Sequence, residues 1–187
     1  MTSSAFSKLR QLVPPPNHGA SPDWAEVAEH LSFTPPEDYR RIVEAYGAGL
    51  FAGEVAVWVP GGRGGEDLFD NTAPAYRELL DSRDWVADGG WQWIESDGRR
   101  QPVDLGPDPL AFGAWGGGSS GAYGYWHQVG GDPDDWPVLY TDLASLWLYH
   151  RGGVAAFIVD LLTGRFDTEL VDPAVPDSRV FEPLTKS

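Results

Sequence analysis

Apolar side chains fall at helical spacing in several separate stretches of the chain. Trp24, Val27, Ala28 and Leu31 repeat every three to four residues behind Ser21, a cap, and Pro22 at the first helical position. A stronger start follows, where Thr34 and Glu37 have capping-box spacing and Pro35 opens the helix. Tyr39, Ile42, Val43 and Tyr46 form its apolar stripe and Gly47 ends it, predicting a helix over 35–46. Thr72, Pro74, Tyr76, Leu79 and Leu80 predict a third helix ending before Asp88, and Val154, Phe157, Ile158 and Leu161 a fourth that Gly164 stops.

Between these lie short β-branched and aromatic runs. Residues 55–59, 91–94, 110–115, 123–129, 136–140 and 146–149 read as strands, with a further short one around Val180 and Phe181. Gly61 to Gly65 reads as a flexible loop and Asp97-Gly98 as a hairpin turn. Runs of strand separated by Gly- and Asp-rich turns favour short antiparallel connections. The fold class expected is α+β, a mixed, mostly antiparallel sheet with helices packed beside it. Pro14, Pro15 and Pro16 make 1–20 an extended, flexible leader, 21–170 form a single domain, and 171–187 form an irregular tail.

Charge narrows the partners. The chain holds 28 acidic and 13 basic residues, a formal charge of −15, so nucleic acid and anionic membranes are repelled at long range. The same surplus would steer a basic protein, or serve only solubility. Without cysteine there is no disulfide, thiolate metal site or cysteine nucleophile, and the start of the chain lacks a signal-type apolar region. A cytoplasmic protein is expected.

Most chemical motifs fail on inspection. Gly117, Gly118, Ser119, Ser120 and Gly121 satisfy G-x-S-x-G, but the strand-like residues 122–126 follow instead of the helix a nucleophile elbow requires. A hairpin loop explains them better. Asp132, Asp134 and Asp135 lack the glycine and closing glutamate of a calcium loop, and His18, His30, His127 and His150 have no zincin spacing. No phosphate-binding loop is present either, so no cofactor, metal or catalytic residue is predicted.

One constellation remains as a candidate partner-binding site. Trp126 and Trp136 bracket Asp132, Asp134 and Asp135, an arrangement of aromatic anchors and polar rim that protein interfaces use. The competing structural reading buries the rings and gives the aspartates to the turn before Trp136 and Pro137.

The order of these motifs resembles a known family. Residues 34–39, Thr-Pro-Pro-Glu-Asp-Tyr, leading to 45–49, Ala-Tyr-Gly-Ala-Gly, are similar to the opening helix of the SUKH superfamily, which holds fungal cell-wall regulators and bacterial toxin-immunity proteins. The glycine-rich run 121–129, the segment 131–138 (Gly-Asp-Pro-Asp-Asp-Trp-Pro-Val) and the helix 157–164 resemble later motifs of that family in the same order, whereas 63–107 match none. The resemblance implies a SUKH-like fold without shared catalytic residues. It also implies a non-enzymatic protein-binding domain, an immunity protein neutralising a cognate toxin such as a basic nuclease. The alternatives are a multi-partner regulatory scaffold and, with less in its favour, an enzyme acting on a small molecule or glycan.

Overall fold

One nine-stranded sheet organises the chain in the computed structural model, which describes residues 2–17, 19–62, 65–108, 111–166 and 168–184. Of the features read from sequence, His18, Arg63 and the first residue of the 110–115 strand, Leu110, lie outside these residues. The strands are β1 (Gly49–Phe51), β2 (Val55–Val57), β3 (Gln92–Glu95), β4 (Arg100–Pro102), β5 (Phe112–Gly118), β6 (Tyr123–His127), β7 (Val138–Thr141), β8 (Trp147–His150) and β9 (Phe181–Pro183). Their order across the sheet is β4-β3-β8-β7-β6-β5-β2-β1-β9, antiparallel throughout except for the parallel pair β3 and β8. The α+β class and the mixed, mostly antiparallel sheet follow the sequence expectation.

Five α-helices among the described residues accompany this sheet: α1 (Thr2–Leu12), α2 (Trp24–Leu31), α3 (Glu37–Tyr46), α4 (Leu68–Gly89) and α5 (Val154–Leu162). Strand alternation assigns α3, α4 and α5 to its two faces. Tyr125 points to α4 and donates its hydroxyl to the Ala75 carbonyl at 2.8 Å, whereas its neighbour Trp126 points the other way and meets Tyr39 of α3 edge-on at 5.0 Å. On that second face α5 brings Phe157 against Trp115 and Tyr140. With both faces covered, every residue of β7 and β8 is buried, as in a sheet enclosed between helix layers.

Trp115 sits at an irregularity in the β5–β6 register, where Ala114 pairs with Tyr125 but Gly116 with Gly124. The bulge lets the indole lie over Gly124, where an added Cβ would come within 2.5 Å of the ring. Glycine at 124 is therefore the space in which Trp115 packs. The two edge strands end in Pro102 and Pro183, which present no N–H for further pairing at those positions.

Several sequence expectations need correction. The stretch expected to be an extended leader is helical over Thr2–Leu12 and packs on α3 and α5, with Leu9 and Val13 buried. Its apolar residues Ala5, Leu9 and Leu12 do recur at helical spacing, and the proline run only ends the helix. At the other end, the short strand expected around Val180 and Phe181 forms as β9, where Phe181 is buried and pairs with Phe51, so this stretch completes the sheet instead of belonging to an irregular tail. The α2 cap is Asp23, whose carboxylate accepts from the Ala25 and Glu26 N–H groups, instead of Ser21. Helix α4 begins four residues before Thr72, capped by Asp67 on the Phe69 N–H, and carries Pro74 within it. Among the described residues, no helix is long and apolar enough to cross a membrane.

Candidate functional site

The connection from β6 to β7 holds Asp132, Asp134, Asp135 and Trp136 of the candidate site, and the fifth residue, Trp126, lies on β6 itself. Asp132 accepts the Asp134 N–H at 3.0 Å and so opens a one-turn 3-10 helix, Pro133–Asp135, in the manner of an Asx turn. Asp134 then reaches away from its own segment. Its Oδ1 accepts the Glu37 N–H of α3 at 2.5 Å, satisfying a donor that the preceding Pro36 leaves without a side-chain cap. The expected Thr34 capping box does not form: α3 starts at Glu37 with Pro36 at its N-cap, and Asp134, 97 residues beyond Glu37, supplies the side-chain acceptor.

Asp38, the next residue of α3, repeats the device. Its Oδ1 accepts the Tyr39 N–H at 2.7 Å and its Oδ2 the Ala155 N–H at 2.8 Å, which caps α5. Gly153 makes room for this, since a Cβ there would lie 2.3 Å from the carboxylate. Burial pushes the Asp38 carboxyl above the usual carboxylate range despite the two donors, and the negative charge of Asp134 adds to the rise. Asp134 and Asp38 thus tie the β6–β7 turn, α3 and α5 into one unit.

The tryptophans are part of the same core. Trp126 is fully buried and Trp136 is 7% exposed, with Phe33 packed edge-on against both rings at 5.8 and 5.5 Å. The expectation that these rings serve as aromatic anchors for a partner is corrected: Phe33 and Tyr39 cover Trp126, and Phe33 covers Trp136. Asp132 and Asp135 are exposed and Asp134 is half-buried, so the turn reading accounts for Asp132, Asp134, Trp126 and Trp136, leaving Asp135 free at the surface.

Other polar clusters also do structural work. Ser119 and Ser120 occupy the β5–β6 hairpin tip, closed by Gly118 N–H to Ala122 and Gly121 N–H to Gly118, and both hydroxyls donate to the buried Glu54 carboxylate at 2.6 and 3.0 Å. Replacing both serines by alanine strips that carboxylate of two donors. The double variant is expected to lose about 1–3 kcal/mol in urea unfolding, and a change too small to measure would contradict the assignment. Glu95 is gripped by Arg151 in a two-pronged contact at 2.8 and 2.9 Å, with Arg99 and Gln101 alongside. The Arg151 contact holds the carboxyl below its ordinary range. This network sits where β3 joins β8 in parallel. His150 receives the Gly152 N–H on Nδ1, leaving Nε2 to donate to Asp160 at 3.0 Å, and both side chains are buried.

Among the described residues, no three His, Asp or Glu side chains are grouped to hold a metal ion. A shallow pocket of about 240 Å³ lies between the end of α5 and the following loop, lined by Leu161, Phe166, Val171 and Pro176. It is smaller than the roughly 300–1,000 Å³ usual for small-molecule sites. Sequence reasoning placed a helix here but passed over Trp85 of α4, which is 43% exposed; the signal was available in the acidic residues spaced around it at 78, 81, 84 and 88. Comparison with protein-family models, curated proteins and solved structures finds no match for the chain.

Proposed function

We propose that this chain is a non-catalytic domain that binds a protein partner bearing a cationic surface, and that it acts as an immunity protein neutralising a toxin. The observation that carries this reading is the charge: 28 acidic residues against 13 basic, on a fold whose buried carboxylates are already engaged by its own donors. Arg41, Arg99, Arg151 and Arg165 are themselves bound to carboxylates of the chain, so the surplus faces solvent as net negative charge. Such a surface accelerates encounter with a basic protein and disfavours acidic ones. The resemblance of 34–49, 121–138 and 157–164 to the SUKH motifs supports a non-catalytic protein-binding role, shared by the immunity proteins and the multi-partner regulators of that superfamily.

Growth assays test it. The protein encoded beside this chain is expressed alone and together with it, and growth arrest by the neighbour that co-expression relieves is the expected result. Arrest that co-expression leaves untouched, or a neighbour without toxicity, contradicts the immunity reading.

A further inference from the structure

Helix α4 carries a feature that its packing does not require. Its inward stripe, Ala75, Leu79, Ser82 and Val86, is buried against the sheet. Trp85 lies on the shoulder of that stripe and remains 43% exposed, while the other tryptophans are buried or half-buried. Its indole N–H donates to the Asp81 carbonyl one turn back at 3.1 Å, so the ring is held against the helix in a fixed pose. A rigid aromatic presented in this way loses little freedom on entering a partner's pocket.

The surroundings of Trp85 are acidic. Glu78, Asp81 and Asp88 stand seven and four residues before it and three after, hence on its side of the helix, and Asp84 flanks them; all four are exposed. None forms an ion pair among the described residues. The helix's own arginines turn elsewhere, Arg83 to the Gly106 carbonyl and Arg77 to the Ala73 carbonyl. Asp88 also lies in the last turn of the helix, where the macrodipole disfavours negative charge and no basic residue is present. Solubility could be served by acids anywhere on the surface. Clustering them around a fixed exposed indole, with Asp88 set against the helix dipole, points to a complementary surface.

We infer that this face of α4, with Trp85 as anchor and Glu78, Asp81, Asp84 and Asp88 as rim, docks a protein whose contact surface is cationic and holds an apolar recess. The inference rests on the protein-binding reading above and assigns its contact site. A second copy of this chain is disfavoured as occupant, because it would bring the same acids to the interface.

The test uses the neighbouring protein that the growth assay identifies, with binding followed by titration calorimetry and stopped-flow. Trp85→Ala is expected to weaken binding roughly 30-fold or more, the scale of an interface hot spot. The triple variant Asp81→Asn, Asp84→Asn, Asp88→Asn, which leaves the indole in place, is expected to slow association roughly tenfold and flatten its salt dependence. Thermal melts of both variants establish that they are folded. If the wild type binds and both folded variants bind within about twofold of it, the α4 assignment is overturned while the protein-binding reading stands. A wild type that binds no neighbour overturns both. A wild-type dimer in sedimentation that Trp85→Ala dissolves gives the face to a second copy, and also overturns the inference.

Discussion

Replacing Trp126 by alanine is expected to lower the unfolding free energy by about 3–5 kcal/mol, the cost of truncating a large aromatic in a packed core. The ring is fully buried between Phe33 and Tyr39, and its strand is paired on both sides, to β5 and to β7. Tyr39 cannot collapse easily into the space, because its hydroxyl is tied to the Trp58 carbonyl at 2.5 Å. Urea unfolding reads the loss directly. A change below about 1 kcal/mol, accompanied by lost partner binding, would return Trp126 to the surface role that its position beside the acidic turn suggests.

Asp38→Ala is expected to cost about 2–3 kcal/mol, since it removes the acceptor for two backbone donors, one of them the first turn of α5. The pH dependence is more telling than the magnitude. Because burial raises the folded carboxyl above the ordinary aspartate value of about 3.9, the native chain keeps a proton there at pH values where the unfolded chain has released it. The stability this contributes is complete below the unfolded value and is lost as pH rises through the folded one. Asp38→Asn retains a carbonyl acceptor but does not titrate. The stability of the wild type relative to Asp38→Asn should therefore grow as urea midpoints are followed from about pH 7 down to about pH 4. A difference that shrinks on acidification would mean that the two N–H donors outweigh burial.

The elements legible in the sequence were those whose signal is local. The stripe Tyr39, Ile42, Val43 and Tyr46 marked α3, all four being fully buried, and Phe157 and Leu161 marked the buried side of α5. Once 123–129 is read as a strand, alternation divides Tyr125 from Trp126 between two faces, as the structure shows. It could not show that both faces are covered, because that depends on α4 and α3 arriving from distant parts of the chain. Capping failed for the same reason. Thr34 had the right spacing, yet the donor at Glu37 is satisfied by Asp134, and the donor at Ala155 by Asp38, across 97 and 117 residues. Helix α1 was hidden by its neighbours, since three prolines outweighed a short apolar stripe whose partners lie on α3 and α5. The parallel pairing of β3 with β8, beside which Glu95 and Arg151 meet across 56 residues, is a long-range contact that no turn rule reports.

Association kinetics test the central claim, that an acidic surface draws this chain to a cationic protein. The purified chain is mixed with the neighbouring protein and the association rate is followed as salt rises from about 0.05 to 0.5 M, across which the screening length falls from roughly 14 to 4 Å. The expected result is a one-to-one complex whose association slows by about tenfold or more over that range, with dissociation changed much less. A complex that forms at the same rate at both ends of the range would contradict it.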